Sequence, residues 1–132
     1  MYGIEGRWIQ GTWTPDQVPL SVEFKELFAI LMACATWGHL WRRQCILVHC
    51  DNQAIVSCMS SGTSKSASVM LLLRNLFYVS ALHSFTVTVK HVAGKSNCIA
   101  DSLSRFHMQE FRKLAPRARP TADSVPHLML ED

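Results

Sequence analysis

The chain has few charged residues and no long hydrophobic run. Only 17% of its 132 residues are charged, whereas 48% are hydrophobic, and this balance excludes a disordered chain. The longest apolar stretches, residues 69–73 and 85–89, fall far short of the roughly 18–20 residues that cross a bilayer. The N-terminus also lacks the basic segment and apolar core of a signal peptide. We therefore expect an intracellular protein, cytoplasmic or nuclear, that is not secreted and has no membrane partner.

Cysteine is present without the spacing that disulfide or zinc modules use. The five cysteines form an odd, scattered set with no C-x-x-C pair: Cys34, Cys45, Cys50, Cys58 and Cys98. This argues against a disulfide framework and a zinc ribbon, so reduced and mostly buried thiols are expected. A zinc site built from His49, Cys50, His91 and Cys98 is an alternative, but their spacing fits no usual ligand pattern.

The order of patterns along the chain predicts one α/β domain over residues 1–114. Aromatic residues and glycines in residues 1–13 indicate a strand pair entered midway, and the rest alternates between helical and strand patterns. Helices are predicted at 21–39, 52–60, 67–82 and 98–114, and strands at 45–50 and 85–91. Such alternation is typical of a mixed sheet with helices packed on its faces. Residues 115–132 contain three prolines and are predicted to be an extended tail or linker.

Three carboxylates occupy positions that can converge. Glu26 lies on the helix stripe expected to face the sheet, Asp51 ends a buried strand, and Asp101 lies in the first turn of the last helix. Each has a structural alternative: Glu26 can reach water from a boundary position, Asp51 can cap the next helix, and Asp101 can favour the helix dipole. Converging carboxylates repel one another unless cations neutralise them, and their hard oxygens suit Mg²⁺ or Mn²⁺. Two such ions about 3.5–4 Å apart support phosphodiester hydrolysis.

Three segments in this order resemble the ribonuclease H domains of retroelement reverse transcriptases. Residues 91–105, HVAGKSNCIADSLSR, are similar to the H-(I/V)-x-G-x-x-N-x-x-A-D-x-L-S-R signature of long-terminal-repeat and DIRS-like tyrosine-recombinase elements. Residues 22–30 resemble the first-helix segment with its E-L pair, and residues 48–53 resemble the strand motif with its D-N pair. By this resemblance, Glu26, Asp51 and Asp101 are catalytic metal ligands for two Mg²⁺ or Mn²⁺ ions.

The resemblance implies a ribonuclease H-like mixed sheet that hydrolyses the RNA strand of RNA–DNA hybrids. It also implies a polymerase domain in the same polyprotein as a partner. The family carries a further Asp on a first strand that comes before a segment resembling residues 2–6, so this strand and its Asp are missing here and activity is expected to be impaired. Lys95 stands nearest to the place where cellular relatives have a histidine, and His91 falls on the strand instead.

Candidate nucleic-acid contacts come from polar residues in and between the matched segments. The loop that precedes the third predicted helix lies near the nucleic-acid backbone in the family. Contacts are thus predicted for Asn52, Thr63, Ser64, Lys65, Lys95 and Asn97. The net charge of +3 is compatible with nucleic acid without establishing it. The alternative function is a non-catalytic nucleic-acid-binding or tethering remnant of a retroelement polyprotein.

Overall fold

The computed structural model describes residues 1–3, 6–10, 15, 21–93 and 98–124, with the side chains of Cys98, Asp101 and Ser104 outside that description. Five α-helices, a short 3-10 helix and two strands are formed by these residues. In chain order they are α1 (Val22–Trp37), the 3-10 helix (Gly38–Leu40), β1 (Cys45–Cys50), α2 (Gln53–Ser61), α3 (Ala67–His83), β2 (Thr86–His91), α4 (Cys98–Ser104) and α5 (Met108–Leu114).

The two strands form the centre of a mixed α/β fold, as the sequence predicts. β1 pairs with β2 in parallel, with Cys45 opposite Thr86 and Cys50 opposite His91. Parallel strands need a long crossover, and α2 and α3 provide it. Near the N-terminus, Tyr2 and Trp8 form an antiparallel bridge. Among the described residues, the predicted N-terminal strand pair is limited to this bridge.

α1 is the helix that carries most of the core. Ser21 caps its N-terminus by accepting a hydrogen bond from the Phe24 backbone N–H at 3.2 Å. Its inward face is fully buried at Leu27 and Leu31, and it packs mainly on α3. Val48 and Cys50 of β1 join the same hydrophobic cluster, so α1 lies against the sheet.

A second, smaller cluster joins the two ends of the chain. It contains Trp8, Leu103, Phe111, Ala115 and Ala118, and the rings of Trp8 and Phe111 lie 5.1 Å apart. Residues 115–124, part of the predicted tail, therefore pack on the N-terminal segment. The domain boundary after residue 114 stays a prediction.

The predicted last helix at 98–114 is interrupted, which corrects one expectation. Phe106 has a φ of 58°, and the helix ends with Phe106 N–H donating to Leu103 O and His107 N–H donating to Ser102 O. This bonding is that of a Schellman motif, which normally uses glycine at the left-handed position. Because a phenylalanine occupies that position, the sequence gives no stop signal there.

Candidate metal centre

Asp51 directly follows β1, at the edge of the sheet where its parallel strands end. Cys50 is buried, whereas Asp51 is exposed and starts the connection to α2. The alternative in which Asp51 caps α2 is wrong, because the cap is Asn52. The Asn52 Oδ1 accepts hydrogen bonds from the backbone N–H groups of Ala54 at 2.9 Å and Ile55 at 3.3 Å. The Asp51 carboxylate is thus left for another role.

Glu26 comes to the same point from α1. It is half-buried, between the fully buried Leu27 and the charged first turn of the helix. Ligand atoms of Glu26, Cys50 and Asp51 all lie within 4.8 Å of one another. Two carboxylates from separate elements therefore meet at the end of β1, as the sequence predicts for this pair.

Cys50 is the member of this cluster that the proposed carboxylate set does not include. Burial raises the pKa of its thiol, the nearby Glu26 and Asp51 charges add to that, and a backbone hydrogen bond from Asn52 opposes it. The thiol consequently stays protonated at neutral pH. A sequence signal existed, since Cys50 occupies the last inward position of a strand whose next residue is the predicted ligand.

The donor set of this cluster fits a hard divalent cation. A thiol must lose its proton to bind a metal, and the raised pKa of Cys50 opposes this loss. The carboxylate oxygens of Glu26 and Asp51 are the ligands that Mg²⁺ and Mn²⁺ prefer. These two residues would therefore hold the ion.

Asp101 belongs to α4, and its side chain lies outside the described residues. The preceding residues, Ile99 and Ala100, line the same cavity as Val48 and His49 of β1. The start of α4 thus lies near the carboxyl-terminal half of β1. The role of Asp101 as a metal ligand stays a prediction.

The predicted nucleic-acid contacts fall at both ends of α2. Asn52 is at its N-terminus, whereas Thr63, Ser64 and Lys65 follow its C-terminus, with Thr63 and Lys65 exposed. Nine helical residues separate the two groups by about 14 Å. Lys95 and Asn97 lie outside the described residues.

The zinc alternative gains no support from the described part of the chain. The ligand cluster found there contains neither His49 nor His91, and the Cys98 side chain is not described. Cys34, Cys45, Cys50 and Cys58 are free thiols. Within the described residues, no helix is both long and apolar enough to cross a membrane.

A parallel strand pair with helices packed around it and acidic residues at the strand's carboxyl end defines a ribonuclease H-like domain. Residues 6–107 match the family described as reverse transcriptase-like, so the chain belongs to that family. No curated protein and no solved structure gives a significant match. Membership supports a nuclease-type function in general, with divalent metals and nucleic acid as the expected cofactors and partners.

Proposed function

We propose that this chain is a ribonuclease H-type endonuclease domain that hydrolyses the RNA strand of RNA–DNA hybrids. The observation that supports it most is the meeting of Glu26 and Asp51, from α1 and the end of β1, within 4.8 Å. Surface acids from separate elements repel one another at such distances unless a cation lies between them. A nuclease of this family has a use for that arrangement.

In the proposed site, each residue has a distinct task. Glu26 and Asp51 hold Mg²⁺ or Mn²⁺ through their carboxylates, and Asp101 supplies a third carboxylate. Two bound ions would lower the pKa of the attacking water and stabilise the charge on the leaving oxygen. Asn52 fixes the backbone beside Asp51 through its two cap hydrogen bonds, which keeps that carboxylate at the end of the strand.

Activity of these 132 residues alone is proposed to be impaired. The signature at residues 91–105 and the two shorter segments support an origin in a long-terminal-repeat or DIRS-like element, in which a further Asp on a preceding strand completes the ligand set. A polymerase domain of the same polyprotein is the proposed neighbour, and an intracellular location follows from that origin.

The hybrid is proposed to lie along α2. Contacts to phosphates from Thr63, Ser64 and Lys65 would position the substrate without reading its sequence. The length of α2, about 14 Å, corresponds to about four nucleotides at roughly 3.4 Å each. Hydroxyl groups at the 2′ position, exposed in the minor groove, would distinguish the RNA strand from DNA.

A cleavage assay tests this function. The 132-residue chain is compared with a version extended upstream by its preceding reading frame, on a labelled RNA–DNA hybrid with and without Mg²⁺. We expect Mg²⁺-dependent cleavage by the extended version, and its loss in Asp51→Asn. Hybrid binding without turnover by the extended version would overturn the proposal and favour the non-catalytic remnant.

A further inference from the structure

A cavity of about 610 Å³ runs along one edge of β1. Residues 45–49 of β1 form one side and residues 1–3 form the other. Its floor is apolar and comes from α1, with Ile30, Ala33 and Trp37. The floor residues are buried, so the cavity is a slot between two stretches of backbone above a packed helix.

The backbone of β1 has a free row of polar groups on the slot side. At the two ends of the ladder with β2, Thr86 N–H donates to Gln44 O and Val92 N–H donates to Cys50 O. Hydrogen bonding in a parallel pair uses alternate residues, so the even-numbered residues of β1 face β2. The N–H and C=O groups of Leu47 and His49 consequently point away from β2, into the slot. No strand among the described residues pairs with them.

Residues 1–3 present the same kind of edge from the other side. Met1 exchanges two backbone hydrogen bonds with Ile9, and Gly3 N–H donates to Arg7 O at 2.7 Å. Alternation then directs the N–H and C=O of Tyr2 away from residues 7–9. Tyr2 lines the slot, opposite β1.

We propose that this slot binds an extended peptide strand of about six residues, which pairs with Tyr2 on one side and with Leu47 and His49 on the other. A β-strand carries donors and acceptors on both edges at the spacing that these rows need. A compact apolar ligand would cover the floor and leave both rows unpaired, at a cost for each buried polar group. The occupant's side chains that face α1 are small and apolar, since they rest on Ile30 and Ala33.

The slot stands apart from the proposed catalytic activity, although the two are adjacent. His49 lines the slot, and Cys50 and Asp51 follow it directly. The Met1 end is close enough to Glu26 for that carboxylate to raise the amino group's pKa, although burial dominates and lowers it to about 6. A bound strand therefore runs alongside the carboxylate cluster, but its binding requires neither metal nor cleavage.

Amide hydrogen exchange tests the proposal with a capped peptide of alternating valine and threonine, matched to the six residues of β1 and ended by lysines. We expect the peptide to slow exchange at Leu47 and His49 by about ten-fold or more. Val87 and Val89, which face away from β1 on the other edge of the pair, are the matched controls and stay unchanged. Equal protection at Val87 and Val89, or none at Leu47 and His49 at millimolar peptide, would overturn the proposal.

Two further arms separate the slot from other modes of binding. The same peptide with methylated backbone nitrogens at alternate residues loses the protection, and Ala33→Phe, which fills the floor, weakens binding at least about ten-fold. If Ala33→Phe does not fold, the methylated peptide decides alone. Protection that rises with protein concentration in the absence of peptide would mean that a second copy fills the slot, which contradicts the proposed occupant.

Discussion

Burial controls the ionisation of individual side chains around the candidate centre. Cys34 is 1% exposed on α1, and its burial raises the thiol pKa from 9.0 to about 12. Cys50 is shifted in the same direction by burial and by two neighbouring carboxylates. The thiols of both residues are neutral at physiological pH, so negative charge near the end of β1 is concentrated on Glu26 and Asp51.

Cys34 predicts a loss of stability at alkaline pH. Because its pKa is raised in the folded state, its contribution is complete below pH 9 and is lost as the pH rises towards about 12. The limiting slope is about 1.4 kcal/mol per pH unit. In Cys34→Ala this contribution is absent, so the difference in unfolding free energy between wild type and variant should narrow by about 1 kcal/mol from pH 8 to pH 10. Urea unfolding at both pH values measures it, and an unchanged difference would contradict the account.

Local hydrogen bonds set the boundaries of the helices near the candidate centre. Ser21, Asn52 and Ser66 accept backbone N–H groups at the starts of α1, α2 and α3. The Asn52 cap matters most, because α2 begins directly after the residue proposed to bind metal.

Removal of the Asn52 cap should destabilise the fold. We expect Asn52→Ala to lower the unfolding free energy by about 1 kcal/mol, because two backbone N–H groups lose their acceptor. Asn52→Ser keeps an acceptor and should remain within about 0.5 kcal/mol of wild type. Chemical denaturation of the three proteins gives the comparison. Equal losses in the two variants would show that the cap is not the cause.

The elements that sequence predicts well are those with local signals. β1 lies at Cys45–Cys50 as predicted, because its apolar run ends at polar residues, and the helices after Ser21 and Ser66 begin at their capping serines. The break at Phe106 was missed, because its left-handed backbone depends on tertiary packing rather than on a glycine.

The candidate site shows the same division between local and distant signals. Motif order indicated Glu26 and Asp51, and the fold brings them together. The inclusion of Cys50 and the capping by Asn52 depend on which way side chains point at the end of β1, and composition does not fix that direction.

The two ends of the chain are joined across the whole molecule. Asp123 Oδ2 accepts a hydrogen bond from Trp37 Nε1 at 2.6 Å and lies 3.5 Å from the Arg7 guanidinium. Trp8 Nε1 donates to Arg119 O at 2.7 Å. A Cβ added at Gly6 would meet Arg117 O at 2.7 Å, so the two segments are in close backbone contact. Residues 115–124 therefore help to hold the N-terminal segment beside α1.

Loss of this contact should destabilise the whole domain. Asp123→Ala is expected to lower the unfolding free energy by about 1–3 kcal/mol, because the buried Trp37 N–H loses its acceptor. The control is Glu110→Ala, an exposed acid whose pair with His107 should contribute less than about 1 kcal/mol. Thermal or chemical denaturation measures both. A loss in Asp123→Ala no greater than in the control would contradict the role of residues 115–124.

Metal binding by the 132-residue chain itself tests the central claim most directly. Isothermal titration with Mn²⁺ compares wild type, Glu26→Gln and Asp51→Asn with Glu23→Gln, a matched acid one helical turn away on α1. The account predicts Mn²⁺ binding by wild type and Glu23→Gln, and an affinity at least about ten-fold weaker in Glu26→Gln and Asp51→Asn. Equal affinities for the Glu26→Gln and Glu23→Gln proteins, or no binding by wild type, would contradict a divalent metal site formed by Glu26 and Asp51.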